Sequence, residues 1–285
     1  MDNNTKQHIS DELRNYVLRF DSQNKAAATL RNISVANVSH MNNNKWDKIS
    51  DELWLNVAKQ IGLHNEEYIL NRENKNFKNL QMLFADSATY SNCYGAYGKA
   101  SIGKTTSALA SKENNKNIFV VRCDEFWNRR TYLTEILHSM GIDGGGYSVP
   151  EMMATVVKTI LKLKNPAFIL DEFDKLSDNN WCSTISILNR LENVCGLTIL
   201  GTEHLLRRFE RGLRLNKRGY AELYSRVGAK LIPLDDNNEK DLKETIRLNG
   251  ITDEYQINDI YNTCESDQRR VRKLIHVTKR KTGGK

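Results

Sequence analysis

Residues 98–105 read GKASIGKT, a glycine-rich stretch of the form G-x4-G-K-[ST]. It directly follows a short apolar run, CYGAY, and precedes the helical stretch TTSALASK. A strand, a glycine-rich loop and a helix in this order predict a phosphate-binding loop, because backbone N–H groups and a helix N-terminus can surround phosphate oxygens there. The alternative is an accidental glycine-rich turn. The acidic pair described below argues against it, because the two motifs together are typical of a nucleotide site.

The loop predicts a binding site for ATP and Mg²⁺. Lys104 is expected to reach the β- and γ-phosphates and so to contribute to catalysis, and the hydroxyl of Thr105 is expected to bind Mg²⁺. The residues predicted to bind the nucleotide are Gly98, Lys99, Ala100, Ser101, Ile102, Gly103, Lys104, Thr105 and Thr106.

A second apolar run, Phe168-Ile-Leu, ends in the two acids Asp171 and Glu172. Asp171 is expected to hold Mg²⁺, directly or through water, together with Thr105. Glu172 is placed to orient and deprotonate the attacking water, since hydrolysis needs a carboxylate at that point and binding alone does not. A solvated end of a strand is the alternative interpretation of such a pair.

Short apolar runs alternate with helical segments from residue 91 onward. The runs CYGAYG, NIFVVRC, PAFILDE and LTILGT are predicted strands, and this rhythm indicates an α/β fold with a largely parallel sheet. Amphipathic helical stretches replace the strand signals after residue 236. We therefore predict an N-terminal domain at 1–62, a linker with a helix leading into the core at 63–90, an ATPase core at 91–235, and a helical lid with a basic tail at 236–285.

The N-terminal region reads as a small helical unit. Its apolar residues are spaced like the scaffold of a helix-turn-helix and are Ala27, Leu30, Ile33, Val35 and Val38. The polar residues left outward, and hence predicted to contact DNA, are Ser34, Asn37, Ser39 and His40. The alternative is a helical cap on the ATPase without a DNA-binding role.

Composition narrows the class of protein further. The net charge is +7, and residues 265–285 carry eight Lys or Arg against two acids, which suits a polyanionic partner. The five cysteines are scattered without a CxxC pair, so we expect reduced thiols. Neither a signal peptide nor an apolar run of membrane-spanning length is recognisable, so we expect a cytoplasmic protein without a membrane partner.

These motifs, in this order and behind an N-terminal helix-turn-helix, resemble those of the AAA+ ATPases. Within that class, chain length, the N-terminal unit and the compact C-terminal helices resemble the transposition ATPases of the MuB and TnsC group, the family of the phage Mu B protein. The resemblance implies an AAA+ P-loop NTPase core with an N-terminal helix-turn-helix domain and a C-terminal helical lid. It also implies a bacterial protein encoded by a phage or a transposon.

The resemblance adds three residues to the expected site. Thr202 follows the run LTILG, where AAA+ proteins place a polar sensor, although many relatives have Asn there; a capping threonine is the alternative. Arg226 precedes the last apolar run and corresponds to an arginine finger that acts across a subunit boundary, or else is a surface arginine. Arg269, in the stretch DQRRVR, corresponds to a second sensor that contacts the nucleotide, with Arg272 as its neighbour on the same helix face.

The resemblance also implies a function. Members of this group form an ATP-dependent homo-oligomer, a helical filament or a ring, on double-stranded DNA, mark target sites, recruit and stimulate a transposase, and disassemble on hydrolysis. Basic residues after the second core strand face the DNA in that group, so Arg129 and Arg130 are expected to contact phosphates without sequence preference. Two solvated arginines at a helix start are the alternative.

Two rival functions remain open at this point. One is an AAA+ helicase loader or replication initiator, whose ATPase motifs are the same. The other is a transcription regulator whose nucleotide acts only as a switch, which Glu172 argues against. The basic stretch within residues 204–220 could be a DNA surface, a subunit interface, a transposase dock or a solvated face, and the sequence does not assign it.

Overall fold

The computed structural model describes residues 1–61, 63 and 68–282. The chain divides into two compact units, Met1–Tyr68 and Ile69–Lys285. Residue 62, at the predicted boundary, lies outside the described residues, as do the last three residues of the predicted basic tail. The division into four predicted segments therefore stays a prediction.

The first unit is helical. Its helices are α1 (Asn3–Val17), α2 (Gln23–Ala28), α3 (Val35–Asn42) and α4 (Asp51–Gln60), with a 3₁₀ turn at Trp46–Lys48. Ser22, Ser34 and Ser50 each cap the helix that follows by accepting a hydrogen bond from a backbone N–H. A serine oxygen at that position satisfies one of the free N–H groups of a helix start, so these serines fix where the helices begin.

The predicted apolar scaffold of the N-terminal unit is largely buried. Ala27, Leu30, Ile33 and Val38 lie in its core, which also contains Trp54. Val35, the first residue of α3, is the exception: it is 41% exposed. The expectation that Val35 belongs to the core was therefore wrong, whereas the other four positions are confirmed as core.

The second unit contains a five-stranded parallel sheet. Its strands are β1 (Cys93–Tyr97), β2 (Ile118–Arg122), β3 (Ala167–Asp171), β4 (Gly196–Gly201) and β5 (Ile232–Pro233). Their order is β2-β3-β4-β1-β5, and every neighbouring pair is parallel. The α/β class, the parallel sheet and the four predicted strands are confirmed. All carboxyl ends meet at one edge, where α/β proteins bind ligands.

Ten helices of the second unit lie within the described residues. They are α5 (Lys75–Tyr90), α6 (Lys104–Asn114), α7 (Arg129–Ser139), α8 (Val149–Ile160), α9 (Asp178–Arg190), α10 (Glu203–Arg214), α11 (Tyr220–Arg226), α12 (Glu239–Leu248), α13 (Glu254–Cys264) and α14 (Gln268–Thr282). A 3₁₀ turn, Phe173–Lys175, follows β3. Across the described part of the chain, no helix is long and apolar enough to cross a membrane.

Helices cover both faces of the sheet. Phe119 and Val121 of β2 pack into a core with α7 to α11, and the alternate residue Ile118 packs on the opposite face with α5 and α6. This follows from strand geometry, since successive side chains point to opposite faces. Gly196 lets α5 approach closely, because a Cβ there would lie 2.0 Å from the carbonyl oxygen of Ser87.

Candidate nucleotide site

The glycine-rich loop connects β1 to the first residue of α6, Lys104. Ser101 and Gly103 adopt left-handed backbone conformations, with φ of 62° and 95°. A Cβ on Gly98 would lie 2.5 Å from Cδ1 of Ile102 and 3.0 Å from Cβ of Leu234, so a larger residue would require these side chains to shift. The loop is therefore curled at the start of a helix, as the sequence predicts for a phosphate site.

Lys104 lies inside this loop and is only 9% exposed. Its Nζ donates hydrogen bonds of 2.7 Å to the carbonyl oxygens of Gly98 and Lys99. Burial lowers the pKa of Lys104, the negative charges of Asp171 and Asp174 oppose the shift, and the positive charge of Arg269 adds to it. The ammonium group is thus held in the loop beside two carboxylates. An anion that binds next to it would further stabilise its charged form.

Asp171 ends β3 directly beside the loop. Its Oδ2 accepts a hydrogen bond of 2.5 Å from Thr105 Oγ1, and the residue is fully buried. Burial raises the pKa of Asp171, although the hydrogen bond from Thr105 partly offsets it. A carboxylate and a hydroxyl in contact form a donor set of hard oxygens, which suits Mg²⁺. The two residues predicted to hold the metal are therefore brought together.

Glu172 follows in a left-handed conformation, with φ of 55°. Arg122 Nη2 and Lys175 Nζ donate to its two carboxylate oxygens at 2.9 and 2.6 Å. Burial acts to raise the pKa of Glu172, but the hydrogen bonds from Arg122 and Lys175 outweigh it, so the pKa lies below its usual range. The predicted base is thus ionised and engaged by two cations.

Sequence reasoning did not identify Arg122 and Lys175 as partners of Glu172. Arg122 ends β2, and the parallel register pairs it with Asp171 on the neighbouring strand. Lys175 lies one 3₁₀ turn after Glu172. The strand order, which the sequence does not state, is what makes Arg122 a neighbour, whereas the i, i+3 spacing of Lys175 was a usable signal.

Thr202 lies at the carboxyl end of β4 and caps α10. Its Oγ1 donates a hydrogen bond of 2.7 Å to Asp174 Oδ2 and accepts one from the backbone N–H of His204 at 3.2 Å. The preceding residue, Gly201, accepts a hydrogen bond from the N–H of Gly98 at 3.3 Å. Thr202 is therefore both a helix cap and a neighbour of the phosphate loop, with Asp174 as a partner the sequence did not reveal.

The C-terminal helices contact the loop through Ser101. Its carbonyl oxygen accepts hydrogen bonds from the backbone N–H of Gln268 at 3.3 Å and from Nδ2 of Asn237 at 3.2 Å. Gln268 Nε2 in turn donates to Asn237 Oδ1 at 3.0 Å. Arg269 is exposed in the first turn of α14, close enough for its charge to act on Lys104. Asn237 and Gln268 were not identified from sequence.

Arg226 lies away from this group. It ends α11, and its guanidinium donates to Glu192 Oε1 at 3.1 Å and to Asn189 Oδ1 at 2.7 Å. Its charge also reaches Cys93, where burial raises the pKa of the thiol and Arg226 opposes the shift. Cys93 begins β1, whereas the phosphate loop follows the end of β1. The structure therefore does not bring Arg226 to the nucleotide site of its own chain.

The residues predicted to contact DNA lie in two places. Arg129 and Arg130 are the exposed first residues of α7, behind a loop in which Phe126 is 87% exposed. In the other unit, the predicted residues occupy the start and middle of α3. Ser34 caps that helix, and Asn37 and His40 are partly exposed. Ser39 Oγ accepts a hydrogen bond from Asn43 Nδ2 at 3.2 Å.

The basic stretch within residues 204–220 is not uniformly solvated. Arg208 donates to the carbonyl oxygens of Asp174 and Leu176 at 2.7 and 2.6 Å, and its guanidinium lies 4.4 Å from the ring centroid of Trp181. Lys217 pairs with Asp178 at 2.9 Å. A solvated face is therefore the wrong interpretation for Arg208, which braces the segment that follows Glu172.

Several solved structures resemble the chain in fold. They include RuvB, the Holliday junction branch migration motor of Thermotoga maritima, with 16% identity, a TM-score of 0.43, and coverage of 74% of this chain and 64% of that one. They also include Drosophila ORC bound to DNA, with 13% identity, a TM-score of 0.46, and coverage of 83% and 61%.

The chain spans less than two thirds of the length of those structures. Among curated proteins, no match was found. Residues 88–209 match the AAA domain family, and they contain the phosphate loop, Asp171, Glu172 and Thr202. This part of the chain is therefore similar to an AAA domain, a type of domain that in general indicates nucleotide hydrolysis.

Proposed function

We propose that the chain is an ATPase that binds ATP with Mg²⁺ in the loop of residues 98–106 and hydrolyses it. The observation that carries this proposal is the hydrogen bond of 2.5 Å between Thr105 and Asp171, with buried Lys104 and ionised Glu172 beside it. ATP binding alone would require only the loop. Hydrolysis also requires a group that takes a proton from the attacking water, and the carboxylate of Glu172 can do so.

Each residue of the site has a defined task in this reaction. Backbone N–H groups of the loop and the start of α6 surround the phosphates, and Lys104 exchanges its carbonyl partners for phosphate oxygens. Thr105 and Asp171 hold Mg²⁺, which neutralises charge on the phosphate oxygens when it is bound. Glu172 accepts the proton of the attacking water at a carboxylate oxygen, for which its hold on Arg122 or Lys175 must loosen.

Further groups complete the site in this proposal. Thr202, oriented by Asp174, contacts the γ-phosphate side of the site, and Arg269 approaches the nucleotide from α14 in the role of a lid residue. Arg226 acts on the nucleotide of a neighbouring copy, which requires a homo-oligomer. Its distance from its own phosphate loop favours such a role, because a guanidinium can stabilise the reacting phosphate only by contact.

The broader function we propose is that of a DNA-bound transposition regulator of the MuB type. The chain would oligomerise on double-stranded DNA with ATP, recruit and stimulate a transposase, and disassemble after hydrolysis, in the cytoplasm of a bacterium and encoded by a phage or a transposon. The net charge of +7 and the exposed pair Arg129 and Arg130 support duplex binding. The helix-turn-helix residues of α3 add a second contact with DNA.

Fluorescence anisotropy with random-sequence duplex DNA tests this function. Binding of the unmodified protein should be tight with ATP and weak with ADP or without nucleotide. Lys104→Ala should remove the ATP-dependent increase, because the phosphates lose their buried cation. Glu172→Gln should keep it and prolong it, since the amide cannot accept the proton. Equal binding in all nucleotide states would instead indicate a DNA-binding regulator that does not use its ATPase to assemble.

A further inference from the structure

The last helix, α14, carries positive charges in its first two turns and again in its last turn. Its sequence, QRRVRKLIHVTKRKT, contains seven Lys or Arg and no Asp or Glu. Six of these cations are exposed; they are Arg269, Arg270, Arg272, Lys273, Arg280 and Lys281. Exposed helices elsewhere in the unit mix both signs: on α10, Glu203 and Glu210 stand among the arginines. The charge of α14 is therefore not that of an ordinary solvated face.

Three of the cations share one face of the helix. Arg269, Lys273 and Arg280 lie at positions i, i+4 and i+11, and we call them the α14 ridge. With a rise of about 1.5 Å per residue, the ridge spans about 16 Å. One strand of duplex DNA carries a phosphate about every 3.4 Å along the axis, so Lys273 and Arg280, about 10 Å apart along the helix, can contact phosphates about three positions apart.

The opposite side of α14 is already occupied. Val271 and Ile275 are buried, and the helix packs against α12 and α13. A basic helix that binds a membrane surface needs a free apolar face to enter the lipid, and here that face lies in the core of the helical unit. Beside the ridge, Val277 is the one large apolar residue of α14 that is exposed among the described residues, at 38%. The ridge thus offers much charge and little apolar surface, which suits a phosphate backbone.

The ridge is also tied to the phosphate loop. It begins one residue after Gln268, whose N–H donates to the carbonyl oxygen of Ser101 in that loop. Asn237 reinforces this contact by donating to the same oxygen and to Ser266 O at 2.6 Å. A nucleotide that rearranges the loop therefore acts directly on the base of the helix that carries the ridge.

We propose that the α14 ridge binds the phosphate backbone of duplex DNA and makes this contact dependent on the nucleotide. The proposal rests on the DNA-binding function proposed above and adds a surface to it that is separate from Arg129 and Arg130. Lys273 and Arg280 contact phosphates along the groove, and Arg269 stands where the ridge meets the nucleotide.

The test uses the full chain with ATP, a random-sequence duplex and a series of salt concentrations. The variant Lys273→Gln with Arg280→Gln removes two cations from the ridge and leaves Arg269 in place. Each phosphate contact contributes about 0.9 to the slope of log K against log salt, so the slope should fall by about 1.8. At about 0.15 M salt, this corresponds to an affinity loss of about 30-fold.

A matched control removes the same charge from another surface. Lys112 and Lys116, exposed at and just after the C-terminus of α6, are replaced by Gln in the same way. This control should keep the slope of the unmodified protein. Unchanged thermal unfolding of both variants shows that the folds are intact, as expected for exposed side chains.

The outcomes separate the ridge from the wider proposal. An unchanged slope and affinity in the ridge variant, with a loss in an Arg129→Gln, Arg130→Gln variant, would overturn the ridge alone. An equal loss in the ridge variant and the Lys112 and Lys116 control would also overturn it, because net charge would then be sufficient. Failure of the unmodified protein to bind duplex DNA with ATP would overturn both proposals.

Discussion

Releasing Glu172 from its two cations should accelerate basal hydrolysis of ATP. Glu172 is 22% exposed, whereas Arg122 and Lys175 are 61% and 45% exposed, so both ion pairs are screened by water. Exposed pairs contribute about 1 kcal/mol or less each. If the carboxylate must leave one or both pairs to take a proton, the variant Arg122→Gln with Lys175→Gln lowers the barrier by about 1 to 2 kcal/mol, or about 5- to 30-fold in rate.

The assay is single-turnover phosphate release without DNA, with ATP affinity measured in parallel. The pKa of Glu172 is held down by Arg122 and Lys175 against the effect of burial, so their removal raises it. Because the base must be ionised, the rate of the variant should begin to fall at a higher pH on acidification than that of the unmodified protein. Adding Glu172→Gln to the variant should abolish the gain. A rate that is unchanged or lower at equal ATP affinity would refute the inhibitory role of the two cations.

Four further outcomes are expected. Lys104→Ala should weaken ATP binding by about 3 kcal/mol, or about 150-fold in Kd, because the bound phosphates lose the ammonium group that pairs with them. A fluorescent ATP analogue measures this Kd. Asp171→Asn should raise the unfolding temperature at neutral pH without Mg²⁺, because burial raises the pKa of Asp171 and the ionised carboxylate therefore destabilises the fold above that pKa. Added Mg²⁺ with ATP should stabilise only the unmodified protein. Trp181→Ala should cost the second unit about 4 kcal/mol in urea unfolding, since the ring is 1% exposed and stacks on Phe173 at 5.0 Å. Arg226→Ala and Lys104→Ala proteins should each be inactive, and a mixture of the two should regain phosphate release if Arg226 acts on a neighbouring copy.

The strands and the phosphate loop could be predicted because their signals are local. Buried parallel strands are short apolar runs, and the loop has a fixed spacing of glycines with a lysine. The proximity of Asp171 and Thr105 could be predicted from the sequence, because both lie at or after the carboxyl ends of parallel strands, and these ends share one edge of the sheet. The register that pairs Arg122 with Asp171 depends on strand order, and no local pattern states that order.

The wrong expectation for Val35, and the contacts of Arg208, Asn237 and Gln268 that were not predicted, also have physical causes. Arg208 looks like one of several solvated arginines, yet its carbonyl partners and Trp181 come from segments more than twenty residues earlier in the chain. Val35 has the right spacing for a core position but is the first residue of its helix and is exposed. Asn237 and Gln268 reach the loop only because the C-terminal helices fold back onto it. Contacts of this kind are set by tertiary packing, which periodicity does not encode.

Electron microscopy of the purified protein with random-sequence duplex DNA, compared with ATP, with ADP and without nucleotide, tests most directly whether the nucleotide site controls assembly on DNA. We expect regular oligomers along the duplex only with ATP, and their loss in the Lys104→Ala protein. Dispersed particles at isolated positions on the DNA, the same in all three nucleotide states, would contradict an ATPase that assembles on its target.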